Sequence, residues 1–324
     1  MATAEQLTYL IQAHVSRDED RFTTVALQLA AHEARAGHVQ LAQDIRTLID
    51  QRQRENDKII KFRPDLSDLI QVQHDSAERL PDLIANEGLR ARIFRVLSEF
   101  RQRSKFTDHG LTHRRKLLLC GPPGTGKTLT ASVLAGELGL PACVILMDKL
   151  VTKFMGETGA KLRQVFEAIA DQPGVFLFDE FDAIGAERNK DNDVGEMRRV
   201  LNTFLQLIER DHSDSIIIAA TNNQALLDHA LFRRFDDVLN YELPDRSQIS
   251  HLLENRLGAF KPGKMAPKTL DAALGLSHAE ITMACRDAIK DAILKDQTAV
   301  QPATLISMLM ERKRPTSLKK KRNP

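Results

Sequence analysis

A glycine-rich segment that ends in a lysine is the first candidate for chemistry in this sequence. Residues 121–128 read Gly-Pro-Pro-Gly-Thr-Gly-Lys-Thr and match the pattern G-x-x-x-x-G-K-[ST]. Such a loop can wrap so that successive backbone N–H groups face phosphate oxygens, and the following helix adds the positive end of its dipole. Lys127 is then placed for the β and γ phosphates of a nucleotide, and the Thr128 hydroxyl for Mg²⁺. The predicted phosphate-binding residues are Gly121, Pro122, Pro123, Gly124, Thr125, Gly126, Lys127, Thr128 and Leu129.

Two adjacent carboxylates follow an apolar run later in the chain. Asp179 and Glu180 come directly after the run Val-Phe-Leu-Phe of residues 175–178. Two charges at the rim of a buried strand add little stability on their own, so we prefer a functional explanation. In phosphoryl transfer to water, Asp179 would hold Mg²⁺ through its hydration shell and Glu180 would orient or deprotonate the attacking water. The structural alternative is that either carboxylate caps the turn that follows.

The elements that must position these residues are short apolar runs that alternate with longer helical stretches. Runs bounded by turn residues and separated by helices predict a parallel sheet covered on both faces, and nucleotides bind such sheets at the carboxyl ends of the strands. The fold class expected is therefore α/β: a P-loop NTPase sheet sandwiched by helices, with a helical lid subdomain and an N-terminal helical domain. The predicted strands are 116–120, 142–147, 174–178, 215–220 and 237–243, and the predicted lid helices are 246–259, 277–295 and 302–312.

Changes in pattern along the chain predict five segments. The first contains no proline and reads as helices, either a small domain or an oligomerisation arm. The second is polar and charged, is broken by Pro64, and reads as a linker. The segments are an N-terminal helical domain (1–55), the linker (56–79), the α/β nucleotide-binding domain (80–245), the helical lid (246–315) and a basic tail (316–324).

The composition limits the classes of partner. The 46 basic and 44 acidic residues leave a net charge of +2, so no overall field attracts nucleic acid or an anionic membrane. The chain has no apolar stretch of spanning length, and its N-terminus lacks a signal-peptide pattern. Three widely spaced cysteines, Cys120, Cys143 and Cys285, lie in apolar surroundings and read as reduced core thiols. We expect a cytoplasmic protein.

Taken together, three segments resemble the AAA family of ATPases over roughly residues 80–312. They are GLTHRRKLLLCGPPGTGKT, VFLFDEFDAIG, and IIIAATNN followed by LLDHALFRRFDD. The resemblance implies an α/β nucleotide-binding domain with a small helical lid, usually assembled as a ring of six with ATP at the subunit interfaces. It also implies ATP and Mg²⁺ as cofactors, and ATP hydrolysis coupled to moving or remodelling another macromolecule.

Further site residues follow from the same resemblance. Asn222 matches the family's polar sensor, which helps to hold the attacking water; by local chemistry it could equally form a turn with the asparagine that follows. Arg233 and Arg234 match the arginine fingers that reach the ATP of the neighbouring subunit. The usual spacer between the two arginines is missing here, and we expect both to act, with Arg233 first.

Two segments resemble the part of the family that surrounds the adenine. Asp82 and Ile84 lie in a short stretch whose backbone usually contacts the base, although the stretch could instead simply begin a helix. In the lid, residues 275–280 match a family stretch near the adenine and ribose. His278 replaces the second glycine of that stretch, and as a lone lid histidine it could also be a plain surface residue.

A predicted central-pore loop completes the resemblance. Phe154, Met155 and Gly156 stand where the family carries an aromatic, a hydrophobic residue and a glycine. Exposed apolar side chains beside a glycine hinge can grip an unfolded chain without reading its sequence. Ordinary core packing is the alternative.

The function expected is ATP-driven remodelling or threading of a protein substrate by a homo-oligomer, a hexamer. A nucleic-acid motor or loader is the alternative, but the sequence offers it only the basic tail and scattered basic residues of the linker. A regulatory scaffold is a third reading, which the complete set of hydrolysis residues disfavours. The chain also looks similar to bacterial ATPases encoded beside subtilisin-like serine proteases in toxin-antitoxin or phage-defence pairs, which implies such a protease as partner.

Overall fold

The computed structural model separates the chain into two compact units, Met1–Lys61 and Phe62–Pro324. The residues that it describes are 19–35, 38, 40–47, 64–73, 78–151, 156–181, 193–222, 232–263 and 266–313.

The described part of the first unit is helical. Helix α1 spans Glu19–Arg35 and buries Ala26, Leu29 and Ala30, whose i, i+3, i+4 spacing places them on one face. Residues 40–47 are also helical. The Glu33 carboxylate is buried and lies 2.6 Å from Nδ1 of His38, and this hydrogen bond lowers the pKa of Glu33.

A six-stranded sheet organises the second unit. Its strand order is β1-β3-β4-β5-β2-β6, and every neighbouring pair is parallel except β1 with β3. The predicted α/β fold is thereby confirmed, and the all-parallel expectation is corrected at one edge. The strands are β1 (Ile70–Gln73), β2 (Lys116–Cys120), β3 (Ala142–Ile145), β4 (Val175–Phe178), β5 (Ile216–Thr221) and β6 (Asp237–Asn240).

Helices account for most of the remaining described residues of this unit. A 3-10 turn at Leu80–Asp82 precedes the first long helix, and another at Gly258–Phe260 lies within the lid. The helices are α2 (Pro64–Ser67), α3 (Glu87–Arg101), α4 (Arg103–Asp108), α5 (Lys127–Leu138), α6 (Met147–Leu150), α7 (Glu157–Asp171), α8 (Asp193–Arg210), α9 (Arg246–Leu257), α10 (Pro267–Ala273), α11 (His278–Leu294) and α12 (Pro302–Lys313).

Alternation along the fully buried strand β4 shows how both faces of the sheet are covered. Val175 and Leu177 belong to a core that includes residues of α3 and α5. Phe178 instead packs in an aromatic cluster with Phe166 of α7 and Phe204 of α8, with ring centroids 5.1–5.9 Å apart. Because both faces of the sheet are apolar, the central strands β2, β3, β4 and β5 read as largely continuous hydrophobic runs.

The lid has its own core, formed by residues of α9, α10, α11 and α12. Ile84, which precedes α3 in the chain, packs against this core. Helices α9, α11 and α12 agree with the predicted ranges to within two residues, whereas the short helix α10 was not predicted.

The predicted linker at 56–79 is corrected for residues 64–73. This stretch contains α2 and the edge strand β1, which pairs antiparallel with β3. Leu69 and Ile70 are buried, so these apolar residues within the otherwise polar segment contribute to the core. Four residues with a single buried strand position are too short a pattern to distinguish from loop by periodicity.

The three cysteines are free and buried, as expected of core thiols. Burial raises the pKa of Cys120 to about 11, and those of Cys143 and Cys285 to about 12. In the part of the chain that the structure describes, no helix has both the length and the apolar character needed to cross a membrane.

Candidate nucleotide site

The glycine-rich loop connects the carboxyl end of β2 to the start of α5. Gly121, Gly124 and Gly126 all have positive φ, at 151°, 74° and 102°. A Cβ added to Gly121 would lie 2.3 Å from the carbonyl oxygen of Tyr241, so a side chain is excluded there. The Tyr241 hydroxyl lies 2.6 Å from Oγ1 of Thr130 on α5, which links the end of β6 to the helix after the loop.

Lys127 is oriented by the loop itself and by Asn222. Only 6% of Lys127 is exposed, and its Nζ donates to the carbonyl oxygens of Gly121 and Pro122 and to Oδ1 of Asn222, each at 2.8 Å. Asn222 directly follows β5, the strand beside β2. The parallel sheet thus brings together two residues that are 95 positions apart.

A hydroxyl and a carboxylate meet beside the lysine. Thr128 Oγ1 donates to Oδ2 of Asp179 at 2.6 Å. The other oxygen of Asp179, Oδ1, accepts from the backbone N–H of Glu180 at 2.9 Å. Glu180 has φ 51°, a left-handed conformation that non-glycine residues adopt at a cost and that is common at functional sites. Hard oxygen donors on a hydroxyl and a carboxylate are the ligand type that Mg²⁺ prefers, so the pair fits this ion.

These residues line a cavity of about 440 Å³. The volume lies within the range of small-molecule sites, and the loop and lid enclose it from two sides. The predicted residues Asp82, Ile84 and His278 border the same cavity as the phosphate loop. Its lining comprises residues 82–84, 123–129, 179, 180 and 222 together with the lid residues 252, 256, 278, 279, 282, 283 and 286.

The lid contacts the phosphate loop directly. The backbone N–H of Ala279, in the first turn of α11, donates to the carbonyl oxygen of Gly124 at 3.0 Å. Ser277 caps α11 and exchanges hydrogen bonds with Glu280 in a capping box. A Cβ on Gly124 would lie 2.7 Å from Oγ of Ser277, so glycine permits this close approach.

The predictions from sequence missed two lid arginines. Arg256 of α9 and Arg286 of α11 line the cavity and add two positively charged side chains to its wall. No motif marks them. Helical spacing could have found Arg286, since Ala279, Thr282 and Met283 precede it on the face of α11 that lines the cavity.

The predicted arginine fingers lie away from this cavity. The Asp236 carboxylate accepts from the backbone N–H groups of Lys116, the first residue of β2, and of Arg115 just before it. Arg233 and Arg234, three and two residues before Asp236, are therefore held near the amino end of that strand. The phosphate loop follows the opposite end of β2, which is roughly 13 Å away because the strand has five residues.

The two arginines differ in their contacts. Arg234 forms an ion pair with Glu209 of α8. Arg233 is exposed and makes no ion pair with another residue that the structure describes. Of the predicted pore loop, Phe154 and Met155 lie outside the described residues, while Gly156 has φ 91° and precedes α7.

Comparisons with known proteins agree with this geometry. The family described as "ATPase family associated with various cellular activities (AAA)" matches residues 117–243. The AAA family ATPase y4kL of Sinorhizobium fredii is 35% identical over 310 residues, which are 93% of this chain and 92% of that protein.

Two further relatives are longer proteins. ATP-dependent zinc metalloprotease FtsH 4 of Sphaerobacter thermophilus is 38% identical over 172 residues, 51% of this chain and 26% of its own length. The proteasome-activating nucleotidase of Methanoregula boonei is 32% identical over 214 residues, 63% of this chain and 49% of its own length. The chain thus spans about a quarter of the first and about half of the second. On the match along nearly its whole length, this chain belongs to the AAA family of ATPases.

Proposed function

We propose that this AAA ATPase couples Mg²⁺-dependent ATP hydrolysis to the remodelling or threading of a protein substrate by a ring of identical copies, a hexamer. The observation that carries the proposal is the convergence of Lys127, Thr128, Asp179, Glu180 and Asn222 on one cavity, with Arg233 at the far end of the sheet.

The chemistry assigned to the site divides among its side chains. Lys127 and the loop N–H groups bind the phosphates, and the Thr128 hydroxyl and Asp179 carboxylate hold Mg²⁺. When bound, Mg²⁺ neutralises charge on the phosphate oxygens. Glu180, exposed next to Asp179, accepts the proton of the attacking water or orients it. Asn222 holds the same water while its Oδ1 orients Lys127.

The position of Arg233 supports an oligomer. Because Arg233 is held at the amino end of β2, it cannot reach the phosphates bound at the carboxyl end of the same strand. Its exposed guanidinium is available instead to a second copy, where it would stabilise charge on the phosphate during transfer. Arg234 is held by Glu209, which favours Arg233 as the main finger.

A protein is the substrate class that the comparisons favour. Two relatives are named as an ATP-dependent protease and as a proteasome-activating nucleotidase. A net charge of +2 gives no general attraction for a nucleic acid. Phe154 and Met155, beside the Gly156 hinge, are the side chains we assign to gripping the substrate.

A partner protease is the finer part of the proposal. The relatives named as proteases are zinc metalloproteases, whereas the resemblance seen in the sequence points to a separate subtilisin-like serine protease. The helical first unit is the docking surface that we assign to this partner. The gene-pair context, toxin-antitoxin or phage defence, rests on the same resemblance.

A substrate trap tests the proposal. Glu180→Gln should retain ATP and hold a bound client, which is then identified by mass spectrometry after affinity purification with ATP. Lys127→Ala, which should not bind ATP, is the matched control. We expect a protein enriched only with Glu180→Gln, and a serine protease among the captured proteins would support the pairing. Capture of nucleic acid without protein would favour the motor or loader instead.

A further inference from the structure

One aspartate anchors the segment that carries the two predicted finger arginines. Asp236 lies between Arg234 and the edge strand β6, and its backbone N–H donates to the carbonyl oxygen of Lys116 at 2.8 Å. One oxygen of its carboxylate, Oδ2, accepts from the backbone N–H groups of Arg115 and Lys116, both at 2.9 Å. Three hydrogen bonds thus join this residue to the start of β2, and the two that the carboxylate accepts are of the stronger, charge-assisted kind.

The start of β2 is itself held in place. Arg115 forms an ion pair with Asp211, which directly follows α8, and each of the two residues is only 7% exposed. The Arg115 guanidinium also donates to the backbone carbonyl oxygen of Asp211. Separating such a buried pair would leave an uncompensated charge, so the pair resists displacement. Asp236 is therefore attached to a well-fixed part of the sheet.

The residues that follow Arg233 have further attachments. Arg234 forms an ion pair with Glu209 of α8, and Asp237 forms one with Arg92 of α3. Arg233 itself is exposed. A segment held at several points presents its exposed arginine at a defined position on the surface.

We propose that Asp236 is a positioning residue for hydrolysis in the neighbouring copy, because its hydrogen bonds to the start of β2 set where Arg233 meets the phosphate that this copy binds. The inference rests on the proposed function, in which Arg233 acts on a second copy. Asp236 is three residues from Arg233, so loss of its hydrogen bonds would displace the arginine. A displacement of about 1 Å can reduce a rate by about a hundredfold, because stabilisation of the transferred phosphoryl group depends on geometry.

A purely structural role is the competing explanation. Strand β6 begins directly after Asp236, and its parallel pairing with β2 starts with Asp237 opposite Leu117. The carboxylate would then only secure the first residues of this pairing. Its loss would disturb the sheet of its own copy, and with it the phosphate loop that follows β2.

Mixtures of two variants separate these roles. In a mixture of Lys127→Ala and Arg233→Ala copies, the first supplies the arginine and the second supplies the nucleotide site. We expect Asp236→Ala, added to the Lys127→Ala copy, to reduce the ATPase activity restored in the mixture by about tenfold or more. The same change, added to the Arg233→Ala copy, should leave the restored activity nearly unchanged, because that copy has no arginine to position.

Two further changes in the copy that supplies the arginine are controls. Asp236→Asn keeps an oxygen that can accept from both N–H groups, and should preserve most of the restored activity. Asp214→Ala removes an exposed carboxylate just before β5, at the same end of the sheet, and should have no effect.

The other results would overturn the inference. No loss with Asp236→Ala, an equal loss in both copies, or an equal loss with Asp236→Asn would overturn it while the shared site stands. If the mixture without any change at Asp236 regains no activity, the shared site of the proposed function fails and the inference fails with it. If Asp236→Ala copies do not fold in a thermal melt, Asp236→Ser replaces it in both tests, and a loss in both copies or in neither overturns the inference.

Discussion

The Thr128 hydroxyl donates to the Asp179 carboxylate at 2.6 Å, although the residues are 51 positions apart. Thr128 lies in the first turn of α5, after β2, and Asp179 directly follows β4, with β5 between the two strands. The carboxyl ends of parallel strands meet at one edge of the sheet, so the contact is a product of strand order. Had these atoms been far apart, no single Mg²⁺ could contact both.

This contact predicts a change in the Mg²⁺ requirement. Asp179→Asn keeps the shape of the side chain but removes the charge that attracts the ion. We expect the Mg²⁺ concentration for half-maximal ATPase activity to rise at least tenfold. Asp148→Asn, on the exposed side of the short helix α6, is the control and should titrate as wild type. A wild-type titration curve for Asp179→Asn would remove this carboxylate from the metal site.

The separation of Arg233 from the loop predicts complementation between copies. Arg233→Ala and Lys127→Ala should each reduce ATPase activity by about a thousandfold or more. Mixed together, they should regain part of it, because the loop of an Arg233→Ala copy meets the intact arginine of a Lys127→Ala copy. Arg234→Ala should lose less, since Arg234 is held by Glu209. If the mixture is no more active than the two variants measured separately, no site is shared between copies.

The pore-loop hypothesis predicts that two activities separate. Phe154→Ala should hydrolyse ATP within about threefold of wild type, because the residue is assigned to the substrate and not to the nucleotide. Unfolding or transfer of the client captured by the trap should be lost. Phe154→Tyr, which keeps an aromatic ring, is the control. If Phe154→Ala retains both activities, the alternative of ordinary core packing is favoured for Phe154.

Two half-buried histidines predict how stability depends on pH. Burial lowers the pKa of both His113 and His278 below the ordinary value of about 6.5. The unfolded chain then binds more protons than the folded one below pH 6.5, so the free energy of unfolding falls as the solution becomes more acidic. The slope is at most about 1.4 kcal/mol per pH unit for each histidine.

Urea unfolding at pH 7.5 and pH 5.5 would measure this effect. The loss of stability on acidification should be smaller in a variant with both His113→Gln and His278→Gln than in wild type. His109→Gln, at an exposed residue, is the control. An equal loss in the double variant would assign the acid sensitivity to other groups.

Much of this architecture was predictable because its signals are local. The phosphate loop requires a strand, glycines and a helix in immediate succession. Strand β4 is recognisable as an apolar run that is followed by two carboxylates. The five parallel strands were found within three residues at each end, because strands buried on both faces read as continuous runs.

Other features depend on contacts between distant segments. Strand β1 carries too little apolar pattern to be distinguished from a linker, and it becomes a strand only because β3 offers a free edge. Arg256 and Arg286 enter the site through the packing of the lid, which no motif records. The hydrogen bonds of Asp236 at the start of β2 likewise join residues that are separated by 120 and 121 positions in the chain.

The hydrogen bond from Ala279 to Gly124 makes α11 a lever. The helix has 17 residues and is roughly 25 Å long, and the bond fastens its first turn to the loop that holds the phosphates. A tilt of about ten degrees at that point would swing its far end by roughly 4 Å. A small movement of the loop around a departing phosphate would thus give a larger displacement at the exposed Ile293 and Leu294. Contact with an adjoining subunit there would transmit that displacement.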